Sequence, residues 1–343
     1  MKHFILVAGY PQPPKSLPFR AYCENRVQQH LAANKAKEDL VFQILDVGNG
    51  ENVVRTFTYP GGNRTETRAA LRTHVRVTRA HYDGNAFKDG QVGVMSALDV
   101  YAAVQEIGFR KPGTLMELSF FSHGHAGGPV LVDSWDDGQY DVPGDPPATR
   151  TRFLGADLRD PDDMDPRPKD FRAANMEPQA LAAFRAAYHP DAVNWSWGCA
   201  SAPNVNEILH KLELHPDYRS SGLADDKVLV FSTLTPANVA DLELMLRLKF
   251  TDPRKVELPF GALRQYVRRH LLGSYAHALA VASGRTTFGA LIGTFAEPDP
   301  AGPRPLMRVH PHFTRHFTFY RNYFGFTFDP ERRWYGAFRP TFT

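Results

Sequence analysis

Two short stretches hold residue types that can do nucleophilic chemistry. In "ELSFFSHGHAGG", from Glu117 to Gly128, an apolar run ends in Ser122, His123, Gly124 and His125 before a glycine-rich turn. In "AVNWSWGCAS" a second run ends at Trp197, Gly198 and Cys199. A cysteine attacks a carbonyl as its thiolate, which needs a base or a positive field beside it. His123 is the candidate base. Cys199 stands just before "SAPNVNEILH", which reads as a helix start whose N–H groups and dipole favour an anion. Such N–H groups can also receive an oxyanion during acyl transfer. Gly198 lets the backbone turn tightly, and Gly124 leaves its own N–H unshielded for a substrate carbonyl. Each residue alone has a plainer role, since a buried cysteine is usually an inert small hydrophobe. Cys23, inside a predicted helix, is assigned that role.

The elements around the two stretches alternate strand and helix. "HFILVAG" reads as a buried strand, Arg20 to Ala33 as a helix, and "DLVFQILDV" as a second strand. "ENVVRTFTY" and "ALRTHVRVTRA" alternate with period two around Gly61, Gly62 and Asn63, which predicts a hairpin. "GVMSALDVYAAVQEIGF" and "PQALAAFRAAYH" read as helices flanking the histidine strand and its insertion. Beyond Cys199, "NVNEILHKLEL" predicts a helix, "KVLVFST" the next strand, and "TPANVADLELMLRLKF" a helix capped by Thr235 and Pro236. This order predicts an α/β fold, a mostly parallel central sheet covered by helices on both faces. Ligands in such folds bind at the carboxyl ends of the strands, where His123 and Cys199 both fall. Residues 133 to 172 are dense in Asp, Pro and Arg and predict a surface insertion or mobile loop. From about residue 251 a C-terminal extension begins, with a long helical segment interrupted at Gly273 and an aromatic-rich tail.

Bulk properties bound the function. A chain of 343 residues with 43% apolar and 22% charged residues is an ordinary globular protein, and its small net charge of +3 does not by itself point to a nucleic-acid partner. Two cysteines argue against a disulfide framework and suit a reducing, cytoplasmic compartment. The start "MKHFILVAGYPQPP" has too short an apolar core for a signal peptide and reads as a first strand. Export by a specialised secretion system leaves no mark of this kind. No run has the ~18 apolar residues of a membrane-spanning helix.

"LSFFSHG" followed by "NWSWGCAS" resembles the caspase, gingipain and legumain superfamily of cysteine peptidases, whose signature is a strand ending in His-Gly and a later strand ending in a small residue and Cys. The resemblance spans roughly residues 1 to 250 in element order and is specific at the two short motifs. It implies a caspase–hemoglobinase three-layer α/β/α sandwich over residues 1–250, with the histidine strand directly before the cysteine strand and residues 251–343 packed on it. By resemblance His123 is the base, Cys199 the nucleophile, and the N–H groups of Gly124 and Cys199 the oxyanion hole. It implies a cysteine endopeptidase acting on proteins or peptides without metal or cofactor. Where caspases carry a glutamine two residues before the cysteine, this chain has Trp197, which suggests a bulky or apolar pocket wall. The arginine pattern that selects aspartate in caspases is not recognisable. About 75 residues separate His123 from Cys199, long for the group, and the acidic insertion accounts for the excess. It could act as a lid, a processing loop or an inhibitory segment.

Other readings compete. "HGHAGG" also resembles the oxyanion loop of lipases and esterases of α/β-hydrolase type, but Trp-Gly-Cys-Ala-Ser lacks the glycines of a nucleophile elbow. His123 and His125 could ligate a metal with Asp133, Asp136 or Asp137. "HYDGNAFKDGQ" places Asp83, Asn85 and Asp89 in a loop faintly like a calcium site, with Val94 where a glutamate is needed. The Arg/aromatic tail from His310 suits a core or a protein partner better than nucleic acid, because it has no lysine and no RNA-binding motif. Arg264, Arg268 and Arg269 read as one solvated helix face. A catalytically silent scaffold that binds through the tail is the alternative from outside enzymology.

Overall fold

The apolar runs that end in the two motifs become the middle strands of one sheet. The structure is a computed structural model that describes residues 1–11, 18–59, 61, 63–70, 82–83, 86–87, 95–134, 136–141, 145–146, 149, 151–161, 163–299 and 303–342. The sheet contains β1 (Lys2–Ala8), β2 (Leu40–Asp46), β3 (Glu51–Thr58), β4 (Asn63–Ala70), β5 (Leu115–Phe121), β6 (Tyr188–Ser196), β7 (Thr287–Gly289) and β8 (Gly336–Phe338). Their spatial order is β8-β7-β6-β5-β1-β2-β3-β4. The five strands from β7 to β2 run parallel, and β8 and the β3–β4 hairpin close the two edges antiparallel.

Among the described residues there are eight α-helices: α1 (Phe19–Ala33), α2 (Ala97–Arg110), α3 (Pro178–Ala186), α4 (Pro203–Glu213), α5 (Pro236–Leu246), α6 (Phe260–Leu272), α7 (Tyr275–Ser283) and α8 (Thr314–Phe324). Side chains alternate across a strand, so one run can feed two cores. Phe4, Leu6 and Ala8 of β1 enter a core shared with α1, α4, α6 and α8, whereas Ile5 and Val7 enter a second core with α2 and α3. The result is a mixed α/β fold with a mostly parallel sheet between helices. Ser96 caps α2, accepting from Leu98 N–H at 3.2 Å while the Asp99 carboxylate takes Ser96 N–H at 2.8 Å. The expected break at Gly273 separates α6 from α7, whose first turn is capped by Ser274.

Several expectations are corrected. "KVLVFST" does form a strand, Val228–Phe231, but it pairs only with Val256–Pro259 and lies outside the central sheet. Its burial explains this, because Val228 and Val230 are 46% and 41% exposed while a central strand is covered on both faces. The strand beside β6 is β7, from beyond residue 250. Residues 251–343 are therefore not an extension packed on a 1–250 unit: they supply β7 and β8 to the same sheet and Phe317, Tyr320 and Phe338 to the same core. The tail's aromatics Phe319, Phe326 and Tyr335 are buried too, which removes them from any partner surface. Arg264 is not simply solvated, since it pairs with Asp225 at 2.7 Å and packs over Tyr323. The hairpin forms between β3 and β4, and most of "ALRTHVRVTRA" lies outside the described residues, as do Asn85, Asp89 and Val94 of the calcium-like loop. No helix of the described residues is long and apolar enough to cross a membrane.

Candidate active site

β5 and β6 are direct neighbours, with Trp195 opposite Ser119 and Ser196 opposite Phe120. Beyond the ladder, Trp197 N–H donates to the Phe120 carbonyl at 2.9 Å, and His125 bridges in parallel to Ser201. The chain segments bearing His123 and Cys199 thus continue side by side past the sheet edge. Two glycines permit this approach. A Cβ on Gly124 would lie 2.7 Å from the Cys199 carbonyl oxygen, and one on Gly198 would lie 2.7 Å from the Ser122 carbonyl oxygen and 3.1 Å from Gly124 N. Ordinary contacts begin near 3.4 Å, so both positions are closed to any side chain. The two N–H groups expected to hold an oxyanion belong to these touching segments.

The histidine stands in a short hairpin, His123–His125 paired with Gly128–Val130. Its ring meets Phe19 edge-on at 5.2 Å between centroids. Its Nε2 is buried and makes no hydrogen bond among the described residues. Burial lowers the imidazole below its ordinary 6.5, opposed by the Asp133 carboxylate, so the ring is a neutral base at pH 7. A buried ring nitrogen without a partner is uncommon in a folded protein and marks a place where one is wanted.

Cys199 is partly buried, and burial raises its thiol above the ordinary value of 9.0, with the Ala296 N–H working the other way. That N–H donates to Sγ at 3.2 Å, while the thiol reaches the Ala296 carbonyl at 3.6 Å. No hydrogen bond joins Sγ to the His123 ring; the two residues are brought together through their backbones. The expected helix start is displaced as well. α4 begins at Pro203, four residues on, so the sulphur takes its N–H from Ala296 rather than from the helix. Ala296 had no signal in the sequence, because an alanine backbone 97 residues away has no distinguishing side chain.

Trp197 is not a pocket wall. It is 0% exposed, stacked between Trp195 at 4.3 Å and Phe121 at 5.2 Å, and its Nε1–H donates to Ser119 Oγ at 3.2 Å. Its flat faces and single donor are all used inside the core. His125 is fixed at both ring nitrogens. Its Nδ1 accepts the Gly127 N–H at 2.9 Å and its Nε2 lies 3.0 Å from Arg167 Nη1. Burial and then the Arg167 charge lower its pKa. Gly128 adopts φ +143°, and a Cβ there would lie 2.3 Å from the Pro166 carbonyl.

Arg167 and Pro166 belong to the acidic insertion, which is a buried charged network in its second half. Asp165 accepts the N–H groups of Leu131, Val132 and Ser134 at 2.6, 2.8 and 2.9 Å, and burial pushes its carboxyl up to about 7. Asp163 pairs with Arg167 at 2.5 Å, and Arg159 with Asp170. The expectation of a mobile loop fails for this half because each of these carboxylates has its own arginine or backbone donors. Together they brace the chain that follows the histidine hairpin. Among the described residues no three His, Cys, Asp or Glu side chains converge as a metal site, so the metal reading of His123 and His125 gains no support.

Comparison of the chain with protein-family models, with curated proteins and with solved structures finds no match.

Proposed function

We propose that this protein is a cysteine peptidase of caspase-like architecture, with Cys199 as nucleophile and His123 as base. The observation that carries the reading is the glycine-lined contact between Gly124 and Cys199, which sets a neutral imidazole with an unpartnered Nε2 on the chain segment touching the nucleophile. Adjacent parallel strands ending in His-Gly and Gly-Cys also fit the order that the resemblance implies.

The raised thiol and lowered imidazole select the order of proton movement. The resting pair is neutral thiol and neutral ring. The S–C bond forms as His123 takes the thiol proton, and the carbonyl π electrons move onto oxygen, which the Gly124 and Cys199 N–H groups receive. Collapse breaks the C–N bond, and His123 passes its proton to the leaving amine. Water then adds to the thioester with its proton going to His123, and the departing Cys199 sulphur regains a proton.

The silent-scaffold reading is favoured by one feature, the sulphur bonded to Ala296 instead of His123. Turnover of a fluorescein-labelled casein separates the two. A peptidase loses cleavage in both Cys199→Ala and His123→Ala and keeps it in EDTA. Loss of cleavage in EDTA, or cleavage that survives Cys199→Ala, refutes the thiol mechanism.

A further inference from the structure

Cys199 lines a narrow cavity formed where β6, β7 and the start of α7 meet, with Ser196, Ala276, Gly289 and Ala290 among its walls. We infer that this cavity receives the substrate side chain on the acyl side of the scissile bond, and that it accepts glycine, alanine or serine. The inference rests on Cys199 being the nucleophile and adds the substrate class.

Size is the first argument. The cavity measures about 10 Å³, room for one water-sized group, hence a methyl or a hydroxyl and not a leucine, aspartate or arginine side chain. The walls are poorly placed to yield. A Cβ on Gly289 would sit 3.0 Å from the Ala276 Cβ and 3.6 Å from the Phe338 ring, so β7, α7 and β8 already pack as closely as small residues allow. Ile292, 1% exposed, bounds the cavity as part of the core.

Charge is the second. No Asp, Glu, Lys or Arg lines the cavity; His125 is held neutral at pH 7 by burial and by Arg167, and the Tyr275 phenol, pushed up by burial, is engaged with the Tyr101 hydroxyl at 3.2 Å. A charged substituent would lose its hydration with nothing of opposite sign to meet it. The polar groups that remain are hydroxyls. Ser274 is committed to capping α7, donating to the Leu271 carbonyl at 2.7 Å. Ser196 makes no side-chain hydrogen bond among the described residues and is left for a substrate hydroxyl. This replaces the bulky or apolar pocket expected from Trp197, whose faces are spent in the core.

The test uses a series of peptidyl acyloxymethyl ketones identical except for Gly, Ala, Ser, Leu, Asp or Arg next to the warhead, with Cys199 alkylation read by peptide mass. The small three should label at least about tenfold faster than Leu, Asp or Arg, the range that one or two methylenes give in a tight pocket. Equal rates, or a faster Leu, Asp or Arg probe, overturn the assignment. Ile292→Ala opens the cavity and should raise the Leu rate relative to Ala by about tenfold; an unchanged ranking in the folded variant overturns it too. If Ile292→Ala does not fold, the wild-type ranking decides. Iodoacetamide distinguishes the two claims. His123-dependent iodoacetamide labelling without the small-residue ranking sinks the pocket alone, while labelling indifferent to His123 sinks the nucleophile reading and the pocket with it.

Discussion

Replacing Gly124 by alanine places a methyl 2.7 Å from the Cys199 carbonyl oxygen and 3.5 Å from Cys199 N. Reaching ordinary contact at 3.4 Å requires the two segments to separate by about 0.7 Å. Both contacts are backbone, held by the β5–β6 ladder and by the His125–Ser201 bridge, so no side chain can swing aside. Overpacking of this kind destabilises by about 1–3 kcal/mol. At about 2 °C per kcal/mol for a chain of this size, the melting temperature should fall by about 2–6 °C. Cys199 should also lose His123-assisted reactivity, since displacements of this order around a reacting pair lower rates by up to about a hundredfold. Gly155→Ala is the internal control, because a Cβ there meets nothing within 4 Å. Melting and iodoacetamide labelling of the two variants are compared with wild type. If Gly124→Ala melts and labels like Gly155→Ala, the two motifs are not in contact and the reasoning fails.

Three further outcomes follow from the packing. Arg26→Ala leaves Glu117 buried without its guanidinium and should cost about 3–5 kcal/mol in urea titration. Burial pushes the Glu117 carboxyl up, but Arg26 and His30 outweigh it and hold it well below the usual range, so its contribution is present above about pH 4.5 and lost as pH falls through the folded-state pKa. Asp165→Ala strands three buried N–H groups, each worth about 1–3 kcal/mol, and should show faster hydrogen exchange at Leu131, Val132 and Ser134. Trp197→Phe keeps an aromatic ring between Trp195 and Phe121; it should lower stability while leaving the probe ranking unchanged, and a changed ranking would return Trp197 to the pocket.

Strand and helix order was readable because β1 and β5 are largely apolar runs and because Thr235 and Gly273 mark helix ends. The neighbouring positions of His123 and Cys199 followed from the same pattern. β8 was harder to place, since its three residues carry too little periodicity to stand out from the aromatic tail. Trp197 misled because its type suggests a pocket, while its direction depends on which face of β6 its neighbours cover. The insertion misled in the opposite sense: its density of Asp, Pro and Arg reads as a surface insertion or mobile loop until the arginines and backbone donors around the buried Asp163, Asp165 and Asp170 are located. The Ala296 N–H and the small-residue cavity arise from chain crossings that local sequence does not encode.

The most direct measurement of the central claim is the rate of Cys199 alkylation by iodoacetamide from about pH 5 to 10, in wild type and in His123→Ala. Burial keeps His123 a free base from below pH 6.5 upward, and burial keeps the Cys199 thiol protonated until above pH 9.0. Assisted deprotonation therefore predicts a rise below pH 6.5, a plateau through neutral pH and a second rise above pH 9.0, with the first rise and the plateau abolished in His123→Ala. A single rise above pH 9.0 that is identical in both proteins contradicts the dyad.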